Sequence, residues 1–180
     1  AWHTALLRPD RVRGVVGLSV PFLPRSAVRP TAGLEKRFGP GYYQLYFQTP
    51  GVADAELAAD PRATHRRLLS ATSGGDRPPA LAVEDGGGFL DTLPEPERLP
   101  DWLTEADLDA YEAEYARHGF TGGLNWYRNL DRNWHLTAAW SGAAITPSAL
   151  YMAGDQDVVV AGVSFDGLVS TLRRSVTDLR

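Results

Sequence analysis

The sequence predicts an α/β protein in which a helical block interrupts a parallel sheet. Three observations carry that reading: a short helix and a β-branched run open the chain, a strand followed by a helix closes it, and the long stretch between is aromatic-rich without a central strand. A helical block set between two parallel strands is how an α/β enzyme acquires a lid over the ends of its sheet. The 180 residues suffice for one domain of ordinary size.

The elements follow in order. Ala1 to Leu7 reads as a helix closed by Arg8, Pro9 and Asp10. Val12 to Val20 (VRGVVGLSV) has the pattern of a buried parallel strand, ended by Pro21, Phe22 and Pro24. A helix leading into such a strand is one unit of a βαβ fold, so the matching strand is expected before residue 1. From Arg25 to Trp140 the chain reads as helix and loop, with short helices at Asp54 to Ala59 and Ala63 to Ala71. Ser73 to Pro100, rich in Gly, Pro and Asp, reads as a long connection. Glu105 to His118 is the clearest helix: Thr104 is its N-cap, Asp107 its capping-box partner, and Leu103 with Leu108 its hydrophobic staple. Leu108, Tyr111 and Tyr115 share one face, and Gly119 is the C-cap. A second helix is expected over Leu124 to Ala139. A strand returns at Ala149 to Ala153 after Pro147, then a turn at Gly154 to Asp157 and a helix at Val163 to Leu172. Residues 1–24 and 141–180 are therefore assigned to the sheet domain and 25–140 to the helical insert.

Composition removes several function classes. With 43% apolar and 22% charged residues the chain has the balance of a globular domain. No apolar run approaches bilayer length and the opening lacks a basic-then-apolar signal, so no membrane partner is expected. The lack of cysteine excludes disulfides, thiolate metal sites and a Cys nucleophile, and fits a reducing compartment, hence a cytoplasmic location. A net charge of -4 without a basic stripe argues against a nucleic-acid partner. Basic residues are almost all Arg, with Lys36 the lone lysine. His3, His65, His118 and His135 are not paired at metal-ligand spacing, and Gly86-Gly87-Gly88 does not open a helix after a strand. Neither a metal nor a cofactor is expected.

Three places remain for chemistry. Asp157 follows a parallel strand at the end where open α/β sheets put their active sites. It also suits a turn or a helix cap, and Asp155 competes with it. Two aromatic clusters, Tyr42-Tyr43-Gln44-Leu45-Tyr46-Phe47 and Asn125-Trp126-Tyr127-Arg128-Asn129, each put a phenol in the insert. A phenol titrates near pH 10, so at neutral pH it is a protonated donor, and two converging donors can stabilise a developing oxyanion. Aromatics at helical spacing equally serve as packing, and spacing alone leaves both readings open.

Tyr43 to Leu57 (YQLYFQTPGVADAEL) resembles the lid of soluble epoxide hydrolases, and Gly119 to Trp134 (GFTGGLNWYRNLDRNW) resembles the second lid segment of that family. The opening AWHTALLRPDRVRGVVGLSVPF is similar to the helix and strand that follow the nucleophile elbow, and ITPSALYMAGDQD to the strand that delivers the triad acid. The two tyrosine segments are the specific part, since the other two are shared with many α/β-hydrolases. The resemblance implies a partial α/β-hydrolase fold with an inserted α-helical lid. It implies that Tyr43 and Tyr127 hydrogen-bond an epoxide oxygen, that Asp157 rather than Asp155 orients a catalytic histidine, and that Phe22, Trp126 and Val158 line the substrate pocket. The implied partners are a small hydrophobic epoxide and water, in a detoxifying role, and a homodimer is left open. Triad order along this fold runs nucleophile, acid, histidine. The resemblance accordingly puts the nucleophilic aspartate just before Ala1, in a Gly-x-Asp-Trp-Gly turn, and the histidine shortly after Arg180. The 180 residues alone are expected to be inactive, with exposed sheet edges and doubtful independent folding. A haloalkane or haloacid dehalogenase, for which Asn125 and Trp126 could act as halide donors, and a non-catalytic ligand-binding α/β-hydrolase are the alternatives.

Overall fold

Apolar side chains from the two ends of the chain gather into one core and those from its middle into another. The computed structural model, which describes residues 1–73, 81–160 and 163–180, divides accordingly into two compact units, Ala1–Ala27 with His135–Arg180, and Val28–Trp134.

The first unit is built on two parallel strands, β1 (Gly14–Leu18) and β2 (Ser148–Met152), paired from Gly14 opposite Ser148 to Leu18 opposite Met152. Helices α1 (Trp2–Leu7) and, last in the chain, α9 (Phe165–Leu172) contribute Trp2, Ala5, Leu6 and Leu172 to its core. Val176 and Leu179 run parallel beside β2, bridging Ile145 and Ala149, so this edge of β2 is also hydrogen-bonded. Side chains alternate across a strand: Val15, Ala149 and Tyr151 are buried, while Val16, Leu18, Leu150 and Met152 are exposed. The expectation of a strand buried on both faces is thus met on one face within this chain. The expected Val12 to Val20 strand is also shorter, because Ser19 turns into the left-handed region at φ 65 and Val20 N–H folds back onto the Leu18 carbonyl. On the buried face, the Trp2 ring occupies the space over Gly17, where a Cβ would stand 2.2 Å from Trp2 Cζ2. Gly17→Val should therefore destabilise this unit by about 1–3 kcal/mol through overpacking. Urea unfolding of the variant beside the parent sequence tests it, and equal midpoints would contradict the packing assigned to Trp2.

The second unit is helical: α2 (Pro30–Phe38), α3 (Tyr43–Tyr46), α4 (Val52–Ala59), α5 (Pro61–Ala71), α6 (Glu105–His118), α7 (Thr121–Arg128) and α8 (Leu130–Leu136), the last ending just inside the first unit's segment. Pro at the first helical position starts α2 and α5, where the missing N–H costs nothing. Thr104 and Asp107 form the expected capping box of α6, with Thr104 N–H donating to the Asp107 carboxylate at 2.9 Å, and Gly119 ends the helix at φ 65. The single helix expected over Leu124 to Ala139 begins earlier, at Thr121, and divides at Asn129. The Asn129 side chain donates to the Asn125 carbonyl at 2.8 Å, sharing that acceptor with its own backbone N–H at 3.1 Å. Part of the expected connection, residues 74–80, lies outside the described residues, but its later part is packed, with Phe89 and Leu93 buried around a short 3₁₀ turn.

His65 on α5 is buried against Tyr111, Tyr115 and Phe120, at ring separations of 4.6, 4.4 and 5.5 Å. Its Nδ1–H donates to the Pro61 carbonyl at 2.7 Å. Burial pushes its pKa below the ordinary 6.5, so the folded unit holds the neutral ring. Unfolding then takes up a proton as the solution becomes acidic, so the contribution is complete above pH 6.5 and is lost as pH falls below it. Urea-unfolding free energies measured from about pH 8 down to about pH 5 should decline, and His65→Phe should flatten that decline; an unchanged slope would contradict the buried neutral ring.

Candidate active site

The second unit brings its two sequence-predicted phenols together. Tyr43 sits at the start of α3, its N–H donating to the Leu81 carbonyl at 2.9 Å, and Tyr127 lies in the last turn of α7. Their rings meet edge to face at 5.8 Å. Both pack on buried Phe47, at 5.5 and 5.2 Å, and Phe89 closes on Tyr43 at 5.8 Å. These edge-to-face contacts fix ring orientation as well as burying area.

The neighbouring phenols are occupied otherwise. Tyr46 donates to Glu56 at 2.8 Å, and Tyr42 stacks on Phe38 at 4.4 Å. Burial first, and then Tyr43 beside it, raise Tyr42 above the usual phenol range. The Tyr43 oxygen accepts from the Gln44 side-chain amide at 2.8 Å, and the Tyr43 hydroxyl is also hydrogen-bonded with the Tyr42 and Tyr127 hydroxyls. Burial, and secondarily the adjacent Tyr43, push Tyr127 up to about 12, so it is a protonated donor at neutral pH. Trp126, one residue away, is 81% exposed, and Asn125 is exposed as well.

A half-buried ion pair holds this arrangement. The Arg128 guanidinium pairs with Asp54, and its Nε donates to the Phe47 carbonyl at 2.9 Å. Asp54 also accepts from Thr121 Oγ1 and, at 2.9 Å, from the Gly51 N–H that opens α4. Arg128 first, then Thr121, hold the Asp54 carboxyl well below the usual carboxylate range. Gln48 adds a second tie, donating to the carbonyls of Gln44 and Tyr127 at 2.8 and 3.0 Å. Sequence reasoning passed over Asp54, Gln44, Gln48 and Arg128, although each lies within the two segments it singled out. A separate groove is lined by Leu45, Tyr46 and residues 83–87, with Glu84 and Asp85 in its wall, and includes neither Tyr43 nor Tyr127.

In the first unit, the carboxyl ends of β1 and β2 are tied to each other. Ser19 N–H donates to the Met152 carbonyl at 2.9 Å, and Tyr151 O–H to the Ser19 carbonyl at 2.6 Å. Trp2 Nε1–H donates to the Val20 carbonyl at 2.9 Å, and Phe22 is buried against Trp2. Asp157 closes the Gly154–Asp157 turn beyond β2, and its Oδ1 accepts from Val159 N–H at 2.8 Å. Asp157 and Val158 are half-buried, whereas Asp155 is exposed. The Tyr151 phenol is raised by burial and then by the Asp157 charge. No group of three or more His, Cys, Asp or Glu fit to hold a metal occurs among the described residues.

The contact between the two phenols has a measurable consequence. Tyr43→Phe should lower the Tyr127 transition from about 12 toward the ordinary 10, since two of its three causes, the charge and the hydrogen bond of Tyr43, are removed. Carbon-13 NMR of labelled tyrosines across an alkaline titration checks this, and an unmoved transition would contradict the contact.

No protein-family model matches the chain. It is 48% identical over 167 residues to Epoxide hydrolase A of Mycobacterium tuberculosis, covering 88% of the chain and 51% of that protein. It is 44% identical to Epoxide hydrolase 1 of Siraitia grosvenorii, over 88% of the chain and 49% of that protein. Among solved structures, Epoxide Hydrolase A from Mycobacterium thermoresistibile superposes with a TM-score of 0.88 at 48% identity, over 99% of this chain and 56% of the other. An epoxide hydrolase from an endophytic Streptomyces gives 0.89 at 39%, over 98% and 54%. The chain spans about half the length of the curated relatives it matches. Over that span its small parallel sheet and its helices are part of an α/β-hydrolase fold, and the chain belongs to the epoxide hydrolases of that fold.

Proposed function

We propose that the full-length protein carrying this chain opens an epoxide to a vicinal diol through a covalent aspartyl ester. The observation that carries the reading is the meeting of two phenols, hydrogen-bonded to each other and half-buried on Phe47, of which Tyr127 is pushed up to about 12. An aspartate outside these 180 residues attacks an epoxide carbon, and the carbon–oxygen bond breaks. The leaving oxygen gathers negative charge, and Tyr43 and Tyr127 stabilise it by donation, one proton passing to the alkoxide. A histidine, also outside these residues and oriented by Asp157, then deprotonates a water that attacks the ester carbonyl. The diol leaves, the aspartate is restored and the phenol is reprotonated.

The helical unit is the lid in this reading, and Phe22, Trp126 and Val158 are assigned to binding a small hydrophobic epoxide. Asp157 suits its role because its second carboxylate oxygen carries no hydrogen bond among the described residues. In this reading the enzyme is cytoplasmic and detoxifying; no helix among the described residues is long and apolar enough to cross a membrane.

In the full-length protein, Tyr43→Phe combined with Tyr127→Phe should reduce turnover of a styrene-type epoxide by roughly 10²- to 10³-fold, the scale of losing oxyanion donors, with the fold intact by circular dichroism. Unchanged turnover would remove the tyrosine assignment, and chloride release from a haloalkane would favour the dehalogenase alternative. The 180 residues alone should show no turnover above background.

A further inference from the structure

We infer that Gln48 is a positioning residue that sets the separation of the two phenols. The inference rests on the epoxide-opening reading and deepens it, since Gln48 touches no reacting atom.

The case begins with helix ends. The last carbonyls of a helix have no intrahelical donor and need one from elsewhere. Gln44 belongs to the four-residue helix α3, and the backbone N–H groups that follow go to other acceptors, Phe47 to Tyr43 and Gln48 to Leu45. Tyr127 lies one residue before the end of α7. One nitrogen, Nε2 of Gln48, donates to both carbonyls, at 2.8 and 3.0 Å. Its two hydrogens thus join helices that are 79 residues apart between Gln48 and Tyr127.

The tie reaches the phenols themselves. Gln44, held through its carbonyl, donates its side-chain amide to the Tyr43 oxygen at 2.8 Å. Tyr127 is held through its own carbonyl. Gln48 therefore connects the backbone that carries one phenol to the residue that seats the other. Arg128 grips the same stretch independently, donating to the carbonyls of Phe47 and Thr49 at 2.9 and 3.5 Å on either side of Gln48. The ion pair anchors the segment while the amide spaces the two rings. A paired-donor site needs this, because an oxyanion contacted by two hydrogen bonds tolerates little change in donor spacing.

Gln48→Met in the full-length protein keeps the side chain's length and removes both donors. We expect kcat for epoxide opening to fall roughly 10- to 100-fold, the scale of a 1 Å misplacement, with KM nearly unchanged. The Tyr127 transition should also move down from about 12 as its ring gains access to water. Loss of activity with that transition unmoved would overturn the inference, and so would an unchanged kcat. Should Gln48→Met not fold, amide exchange in the unaltered protein decides: the Gln48 side-chain N–H protons should be protected, and free exchange would overturn the inference. Failure here is distinct from failure of the epoxide reading, because Tyr43→Phe with Tyr127→Phe would still abolish turnover in the first case and not in the second.

Discussion

The aromatic site depends on one ion pair. Asp54 meets three separate points of the helical unit: the N-terminus of α4 through Gly51, the N-terminus of α7 through Thr121, and the end of α7 through Arg128. Arg128 in turn reaches the backbone that follows α3. Both side chains are largely shielded, at 12% and 19% exposure, so each charge needs the other and neither can relax into water. Tyr127 is carried by α7, which the pair joins to α4, and Tyr43 by α3, whose following backbone Arg128 holds. Their approach is therefore a property of the scaffold, with ring packing on Phe47 supplying the orientation.

This arrangement assigns different duties to chemically identical groups. Tyr42, Tyr43 and Tyr46 fall within five residues, yet one stacks on Phe38, one meets Tyr127 and one serves Glu56. The selection is made by neighbours, Phe38 and Glu56 near in sequence and Tyr127 distant, and intrinsic phenol chemistry plays no part in it. Gln44 adds a further distinction, because its side-chain amide donates to the Tyr43 oxygen.

Much of the scaffold was legible because its signals are local. The Thr104–Asp107 capping box, the Gly119 stop and the strand–turn pattern up to Asp157 rest on residues a few positions apart, and each appears as read. The break at Asn129 and the truncation of β1 at Ser19 were not legible. At the first, the Asn129 side chain and backbone share the Asn125 carbonyl; the second follows from a left-handed residue that is not glycine. The site was legible only in outline. The two phenols were named, but what holds them consists of contacts 74 to 81 residues apart, which no periodicity reports. The unburied face of the sheet shows the same limit from another side: Val16, Leu18, Leu150 and Met152 carry the apolar pattern of a covered strand, and the pattern does not say which segment covers it.

Under the proposed mechanism the phenols serve ring opening and Asp157 serves ester hydrolysis. A single-turnover, rapid-quench experiment on the full-length protein, comparing the parent with Tyr127→Phe, separates those two steps. The account predicts that formation of the aspartyl ester slows while its hydrolysis keeps the parent rate. Ester formation at the parent rate, with hydrolysis slowed instead, would contradict it.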